Sequence, residues 1–179
     1  MLFRETSIAG AFVVEPERLE DERGFFARTF SSDEFAARGL DARVCQCSTS
    51  FNATAGTLRG LHYQAAPHGE AKLVRCTRGA VFDVTVDLRH NCSSHLHWFG
   101  VELSVDNGRA LFVPDGCAHG FQTLVDASEV HYQISTPYVP AAARGVRWDD
   151  PAFGIEWPAP PPHGRTMSPR DAGYPDFAP

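Results

Sequence analysis

Two histidine-containing segments carry the residue types that acid–base chemistry needs. The first runs Gly56-Thr57-Leu58-Arg59-Gly60-Leu61-His62-Tyr63-Gln64, and the second joins Gly108 across five residues to Pro114-Asp115-Gly116-Cys117-Ala118-His119. An imidazole with its ordinary pKa of about 6.5 can accept and release a proton at neutral pH. Arg59 and Lys72 add positive charge that can stabilise a bound anion or a developing enolate. These residues favour proton transfer on an anionic substrate.

The spacing of the two segments resembles the two half-motifs of cupins. In cupins a glycine is followed after five residues by His-x-His in one half and by Pro-x-Gly-x-x-His in the other. Here Gln64 replaces the second histidine of the first half, and Glu70 is displaced from the usual acidic ligand. Mononuclear metal sites usually have three or four His or carboxylate ligands, so His62 and His119 alone favour metal-free chemistry. We expect no metal, and no redox cofactor because a Gly-rich dinucleotide loop is absent.

Short β-strands are the elements that would position these residues. Between residues 44 and 136, short apolar segments alternate with turns such as Asp106-Asn107-Gly108, which predicts a sandwich or barrel. Asp83 and Thr85 share one face of an otherwise apolar segment, as expected for a strand that lines a polar cavity. One short helix is predicted after Ser31, with Glu34 completing a capping box and Gly39 ending it. The expected fold is an all-β cupin or jelly-roll β-barrel with one or a few short helices.

Composition limits the class of protein. We expect a single domain over residues 1–179, with an irregular, proline-rich C-terminal arm over about 149–179. The formal net charge of −6 argues against a nucleic-acid partner, which would require a basic face. No apolar run reaches the roughly 18 residues of a membrane span, and the N-terminus does not resemble a signal peptide. The five dispersed cysteines are typical of reduced thiols, so a cytoplasmic location is expected.

From about Asp21 to Asp171 the sequence resembles the dTDP-4-dehydrorhamnose 3,5-epimerase family. The residues 56–64 and Ala118-His119-Gly120-Phe121 carry this resemblance. Further matching segments are Asp21-Glu22-Arg23-Gly24-Phe25-Phe26, Lys72-Leu73-Val74-Arg75-Cys76, Phe82-Asp83-Val84, Glu129-Val130-His131-Tyr132, Trp148-Asp149-Asp150-Pro151 and Ile155-Glu156-Trp157-Pro158. The resemblance implies a metal-independent isomerase that epimerises C3, C5 or both in a nucleotide-linked 4-keto-6-deoxy sugar.

The resemblance also implies a catalytic role for four residues. His62 resembles the base that removes a proton next to the ketone, and Asp171 resembles the carboxylate that pairs with this histidine. Tyr132 resembles the acid that returns a proton from the opposite face of the sugar. Lys72 resembles the cation beside the C4 carbonyl, where it would stabilise the enolate.

The binding residues implied by the resemblance divide into two groups. Arg23, Arg59 and His119 resemble pyrophosphate contacts, and Phe26 and Tyr138 resemble the pair that brackets the base. The family implies a homodimer with a strand exchange near the N-terminus, so Arg23 is expected to serve the partner's site.

Four further binding positions depart in residue type from the family. Arg28, Cys47 and Thr49 stand where base-contacting residues are expected, and Arg170 keeps the positive charge beside Asp171. We therefore expect retained epimerase chemistry with altered base or sugar specificity.

Other functions remain open at this point. They are epimerisation of a single centre, action on a sugar linked to another nucleotide, a related 3,4-ketoisomerase, and a sugar-nucleotide binding cupin without catalysis. Intact His62, Lys72, Tyr132 and Asp171 favour the epimerase.

Overall fold

The structure, a computed structural model, describes residues 1–178. It consists mainly of β-strands, as the sequence predicts. In chain order these are β1 (Leu2–Glu5), β2 (Phe12–Glu15), β3 (Arg18–Asp21), β4 (Gly24–Ala27), β5 (Gln46–Asn52), β6 (Leu58–Gln64), β7 (Lys72–Arg78), β8 (Ala80–Asp87), β9 (Trp98–Ser104), β10 (Ala110–Val113), β11 (Cys117–Thr123), β12 (Ser128–Ile134) and β13 (Ala143–Gly145). Two short helices, α1 (Ser32–Ala36) and α2 (Pro169–Ala172), and a 3₁₀ turn at Pro140–Ala142 complete the described elements.

The strands form two antiparallel sheets and one separate hairpin. The six-stranded sheet has the order β1-β2-β10-β7-β12-β5, and the five-stranded sheet has the order β13-β6-β11-β8-β9. Val74 and Val130 of the first sheet pack with Val81, Leu103 and Phe121 of the second in one buried cluster. Because alternate side chains point to opposite faces of a strand, each sheet gives one face to this core. The arrangement is a cupin-like jelly roll, which confirms the predicted fold class.

The predicted helix forms, although its N-terminal cap differs from the expectation. Ser31 is the N-cap residue, but its side chain makes no capping hydrogen bond. Glu34 instead lies 3.1 Å from the N-terminal amino group of Met1, so the capping-box prediction is wrong. Gly39 has a φ of 70°, which lets the chain reverse after the helix. Phe35 is fully buried, as its position on the inner face predicts.

The C-terminal arm is irregular but firmly attached to the sheets. Thr166 forms a parallel bridge with Thr57, which ties the part of the arm before α2 to the segment before β6. At the other end, the Phe177 amide donates to Asp150 Oδ2 at 2.5 Å. Arg147 pairs with Asp176 at 2.6 Å. These attachments on either side of α2 fix the position of that helix.

None of the helices in residues 1–178 has both the length and the apolar character that a membrane span requires.

Candidate active site

A cavity of about 300 Å³ lies between the two sheets at one end of the barrel. Both sheets contribute to its wall, and nearly all of its lining side chains are polar or aromatic. They are Gln46, Ser48, Ser50, Arg59, His62, Glu70, Lys72, His119, Phe121, Tyr132, Ile134 and Tyr138. Six of the thirteen residues proposed from the sequence are among them: Arg59, His62, Lys72, His119, Tyr132 and Tyr138.

His62 and Asp171 form a hydrogen-bonded pair at the wall of this cavity. His62 Nε2 lies 2.8 Å from Asp171 Oδ1, although 109 residues separate the two in sequence. Asp171 belongs to α2, whose N-cap Ser168 accepts a hydrogen bond from the Asp171 amide at 3.0 Å. The carboxylate fixes the neutral imidazole with its proton on Nε2, so Nδ1 carries the lone pair. The pair is therefore arranged as a base with a supporting carboxylate.

The surroundings of Asp171 favour its ionised form. Burial alone would raise the pKa of this carboxyl, but the hydrogen bond from His62 opposes that effect. The Gly60 amide and the Ser168 hydroxyl act in the same direction as His62, and the pKa lies below its ordinary value. Asp171 is consequently an anion at neutral pH and can stabilise a protonated His62.

A second histidine–aspartate pair lies on the neighbouring strands. His119 Nε2 lies 2.9 Å from Asp83 Oδ1 and 3.0 Å from Oδ2. Both side chains are buried, with 4% and 0% of their surface exposed. Burial raises the pKa of Asp83, although His119 and Lys72 oppose the shift. His119 therefore lines the cavity, while its Nε2 is held by the Asp83 carboxyl group.

Tyr132 enters the cavity from the sheet opposite to His62. It lies on β12 of the six-stranded sheet, and its ring packs edge-to-face against His119 with centroids 6.1 Å apart. Burial first, and then the charge of Asp83, raises the pKa of the phenol well above its ordinary value. Tyr132 therefore keeps its proton at neutral pH and can act only as a donor of that proton.

Lys72 and Arg59 supply the positive charge of the cavity. Lys72 Nζ lies 2.9 Å from Glu70 Oε1 and also donates to the His62 carbonyl at 3.3 Å. Arg59 Nε donates to Asn52 Oδ1 at 2.7 Å, which holds the guanidinium on the exposed side of β6. A second cavity, of about 410 Å³, adjoins the first and is lined by Arg59, His62, Arg170 and Asp171 among others.

The other residues proposed from the sequence lie at the edges or outside the cavity. Arg170 follows Pro169 in α2, and its guanidinium lies 5.9 Å from the centre of the Tyr174 ring. Arg23 and Phe26 belong to the exposed β3–β4 hairpin, where Arg23 pairs with Asp21 at 2.5 Å. Arg28 follows that hairpin and lies 3.7 Å from Glu34. The structure does not bring the hairpin residues to the cavity of their own chain.

Cys47 and Thr49 point away from the cavity, although the sequence predicts them as base contacts. They alternate along β5 with Gln46, Ser48 and Ser50, which line the wall. Since successive side chains of a strand point to opposite faces, the odd-numbered residues of β5 lie on the outer face of the sheet. The sequence-based predictions did not include Gln46, Ser48 and Ser50. Polar residues at every second position of this strand were the signal that could have identified them.

Three further residues that support the site were not predicted in these roles. Asp83 holds His119, Asn52 holds Arg59, and Tyr174 packs edge-to-face against His62 with ring centroids 6.1 Å apart. An acidic residue within an otherwise apolar strand could have indicated the role of Asp83. No sequence signal identified Asn52 or Tyr174, because both contacts join segments distant in sequence.

Gln64, which occupies the place of a cupin metal ligand, has a side chain that is hydrogen-bonded to backbone groups. Its amide nitrogen donates to the carbonyls of His68 at 3.0 Å and Pro137 at 3.2 Å. Its amide oxygen accepts from the Val139 amide at 2.6 Å. Within residues 1–178, no three His, Cys, Asp or Glu side chains form a group that could hold a metal ion.

The jelly-roll fold and the acid–base cavity define an isomerase of the cupin-like class. A family model described as dTDP-4-dehydrorhamnose 3,5-epimerase matches residues 5–179. The chain therefore belongs to the dTDP-4-dehydrorhamnose 3,5-epimerase family, as the sequence resemblance predicts.

Individual relatives agree with this assignment. The chain is 44% identical over 158 residues to a dTDP-4-dehydrorhamnose 3,5-epimerase of Sinorhizobium fredii, covering 88% of this chain and 81% of the relative. The crystal structure of dTDP-4-dehydrorhamnose 3,5-epimerase from Elizabethkingia anophelis matches with a TM-score of 0.95 and 34% identity, covering 99% and 96% of the two chains. ChmJ, a 3'-monoepimerase from Streptomyces bikiniensis crystallised with dTDP-quinovose, matches with a TM-score of 0.86 and 34% identity over 96% and 85%.

Proposed function

We propose that this protein epimerises a dTDP-linked 4-keto-6-deoxy sugar, with His62 as the base. The observation that carries the proposal is the His62–Asp171 pair, 2.8 Å apart, at a cavity that Tyr132 enters from the opposite sheet. Epimerisation through an enolate requires a base on one face of the sugar ring and an acid on the other. Relatives named as dTDP-sugar epimerases support the substrate class.

In the first step His62 Nδ1 takes the proton from a carbon next to the ketone. The C–H electron pair forms the enolate double bond, and the carbonyl π electrons move to the C4 oxygen. Lys72 stabilises the oxyanion, and Asp171 stabilises the imidazolium that forms. Tyr132 then donates its proton to the carbon from the opposite face, which restores the ketone with inverted configuration. Return of protons from solvent to Tyr132 and release of a proton from His62 complete the cycle.

The same proposal assigns the remaining polar groups to the nucleotide. Arg59 and His119 bind the pyrophosphate, and Arg170 adds positive charge beside Asp171. Tyr138 is 54% exposed at the cavity edge, where its ring is available to a nucleobase. Because Asp171 comes from the C-terminal arm, we propose that residues 1–179 function as one domain.

We also propose that the protein acts as a homodimer. Leu19, Phe25 and Phe26 of the β3–β4 hairpin are 68%, 57% and 69% exposed, which is unusual for a cluster of large apolar side chains. In the dimer the hairpin would cover the partner's cavity, with Arg23 contacting phosphate and Phe26 contacting the base. Light scattering after gel filtration should give about twice the mass of 19.6 kDa, and Phe26→Ser should weaken the dimer. A monomer at micromolar concentration would contradict this proposal.

The specificity of the site is part of the proposal. Arg28, Cys47 and Thr49 depart in type from the base contacts that the family resemblance implies, and we propose that the base or the sugar differs accordingly. Because Cys47 and Thr49 lie outside this chain's own cavity, they would contribute only where the substrate reaches the outer face of β5. Comparing thymidine-, cytidine-, guanosine- and uridine-linked sugars tests this point. A clear preference for the thymidine-linked sugar would reject the altered base specificity while keeping the epimerase.

Deuterium incorporation tests the main proposal. In deuterated water, proton NMR of the 4-keto-6-deoxy-glucose nucleotide should show deuterium entering at C3, C5 or both. Tyr132→Phe should still permit exchange on the His62 face but reduce net inversion by about 10²–10⁴-fold. Exchange at C3 alone would identify a monoepimerase, and movement of the carbonyl would identify a ketoisomerase. Binding of the nucleotide sugar without deuterium exchange would indicate a cupin that binds the sugar nucleotide without catalysis.

A further inference from the structure

Lys72 differs from every other basic residue of this chain. Lysine and arginine together number 16, and Lys72 is the single lysine among them. It is also strongly buried, with 7% of its surface exposed. An ammonium is a compact charge on a flexible stem, whereas a guanidinium is a rigid planar fork. A lysine directed at one oxygen therefore needs other groups to fix its direction.

Two protein groups contact the Lys72 ammonium. Its Nζ lies 2.9 Å from Glu70 Oε1 as an ion pair, and it donates a hydrogen bond to the His62 carbonyl oxygen at 3.3 Å. An ammonium has three donors, so these contacts leave N–H capacity for a ligand. Since Lys72 lines the cavity, a free N–H is available to a ligand there.

The backbone on both sides of Glu70 is fixed. The Gly69 carbonyl accepts from the Thr136 hydroxyl at 2.8 Å. The Ala71 amide donates to the Ser135 hydroxyl at 2.9 Å. Glu70 directly precedes β7 by two residues, and its side chain lines the same cavity as that of Lys72. The carboxylate consequently occupies a defined place beside the ammonium.

We propose that Glu70 is a positioning residue that holds the Lys72 ammonium so that its free N–H points at the C4 oxygen of the substrate. This inference rests on the proposed function. The C4 oxygen carries more negative charge in the transition state than in the bound ketone, so orientation matters most there. Loss of Glu70 is therefore expected to reduce kcat much more than it changes KM.

Three variants test the inference in the deuterium assay. Glu70→Ala should lower kcat by about 10–100-fold with KM within about threefold, because the ammonium loses the ion-pair partner that fixes its position. Glu70→Gln keeps an acceptor oxygen and should retain part of the lost rate. Glu129→Gln is the matched control, since Glu129 accepts from Thr77 at 2.7 Å in an exposed contact. Unchanged kcat in Glu70→Ala would overturn the inference.

A double-mutant comparison separates positioning from a merely structural role. If Glu70 acts through Lys72, then adding Glu70→Ala to Lys72→Met should cause little further loss of kcat. A full additional loss in the double variant would show that Glu70 acts independently of Lys72, and the inference would be wrong.

The single lysine also permits a test that needs no substrate. In protein labelled with ¹⁵N-lysine, the side-chain ammonium of Lys72 should give one signal that is protected from hydrogen exchange. The signal should broaden in Glu70→Ala and persist in Glu129→Gln. Equal protection in all three proteins would overturn the positioning role. Absence of deuterium exchange in the wild-type protein would instead reject the proposed function, with the ammonium spectrum still deciding whether Glu70 holds Lys72.

Discussion

The histidines of the two histidine–aspartate pairs lie side by side in the five-stranded sheet, where His62 of β6 is the register partner of His119 of β11. Both pairs use Nε2 and a carboxylate at nearly equal distance. The His62 side chain is 42% exposed, whereas that of His119 is 4% exposed. A base must reach its substrate and exchange protons with solvent, so the same contact suits catalysis in the first pair and bracing in the second.

The pKa values of the two carboxyl groups also differ. The pKa of Asp171 is lowered because hydrogen bonds from His62, Gly60 and Ser168 overcome its burial. The pKa of Asp83 is raised because its complete burial outweighs its contacts with His119 and Lys72. The His62–Asp171 pair therefore has the solvent access and the ionised carboxylate that the proposed base requires, and the His119–Asp83 pair has neither.

The largest effect is expected from His62→Ala. Removing the base should reduce the deuterium exchange rate by about 10²–10⁴-fold. His97→Ala, at an exposed histidine of a loop, is the control and should keep the wild-type rate. If His62→Ala and His97→Ala lost a similar fraction of the exchange rate, the catalytic role assigned to the His62–Asp171 pair would be contradicted.

The buried pair should affect stability more strongly. His119→Ala leaves the Asp83 carboxyl buried without its partner, and breaking such a pair costs about 3–5 kcal/mol of unfolding free energy. Asp171→Ala should cost less, because the His62 side chain remains partly hydrated. Urea denaturation of the two variants measures this difference, and equal losses would contradict it.

The two carboxyl groups should give the stability opposite pH dependences. Asp171 has a folded pKa below its ordinary value of 3.8, so its contribution is present above that pH and is lost as pH falls through the folded pKa. Asp83 has a folded pKa above 3.8, so its contribution makes stability fall as pH rises from 3.8 through the folded pKa.

Asp171→Asn should reduce the loss of stability as the pH falls toward 3. Asp83→Asn should reduce the loss of stability as the pH rises above 3.8. Thermal denaturation between about pH 3 and pH 7 measures both slopes, and each unit of pKa shift corresponds to about 1.4 kcal/mol. Slopes that change in the same direction in both variants would refute the assignment.

The smallest effects concern the two faces of β5, where access to the cavity is again the difference. Gln46→Ala and Ser48→Ala should raise KM by about 3–10-fold, the value of one ordinary hydrogen bond. Cys47→Ala and Thr49→Val should change KM by less than about twofold if a single chain forms the site. A larger effect of Cys47 or Thr49 would show that the substrate extends to the outer face of the sheet, as the sequence-based assignment requires.

Local patterns in the sequence determined the fold class, the short helix and the two cavity histidines, whereas the roles of Tyr132, Tyr138 and Asp171 were implied by the family resemblance. Alternating apolar residues and turn signals predict strands because these signals act over a few neighbouring positions. The spacing of the two half-motifs likewise identified His62 and His119. The odd separation of Lys72 and Arg75 likewise predicts opposite faces of one strand, and Lys72 lines the cavity while Arg75 lines a groove elsewhere.

Only the tertiary structure decided which pairs form and which of them meet the cavity. Asp171 reaches His62 because the Thr57–Thr166 bridge and the Arg147–Asp176 ion pair attach the C-terminal arm on either side of α2, and these contacts span more than 25 residues of sequence. The face of β5 that lines the cavity depends on its register with β12, and a shift by one residue exchanges Gln46 for Cys47. The exposure that separates His62 from His119 depends on the packing of the whole barrel, and the residue types and their spacing in the sequence do not determine it.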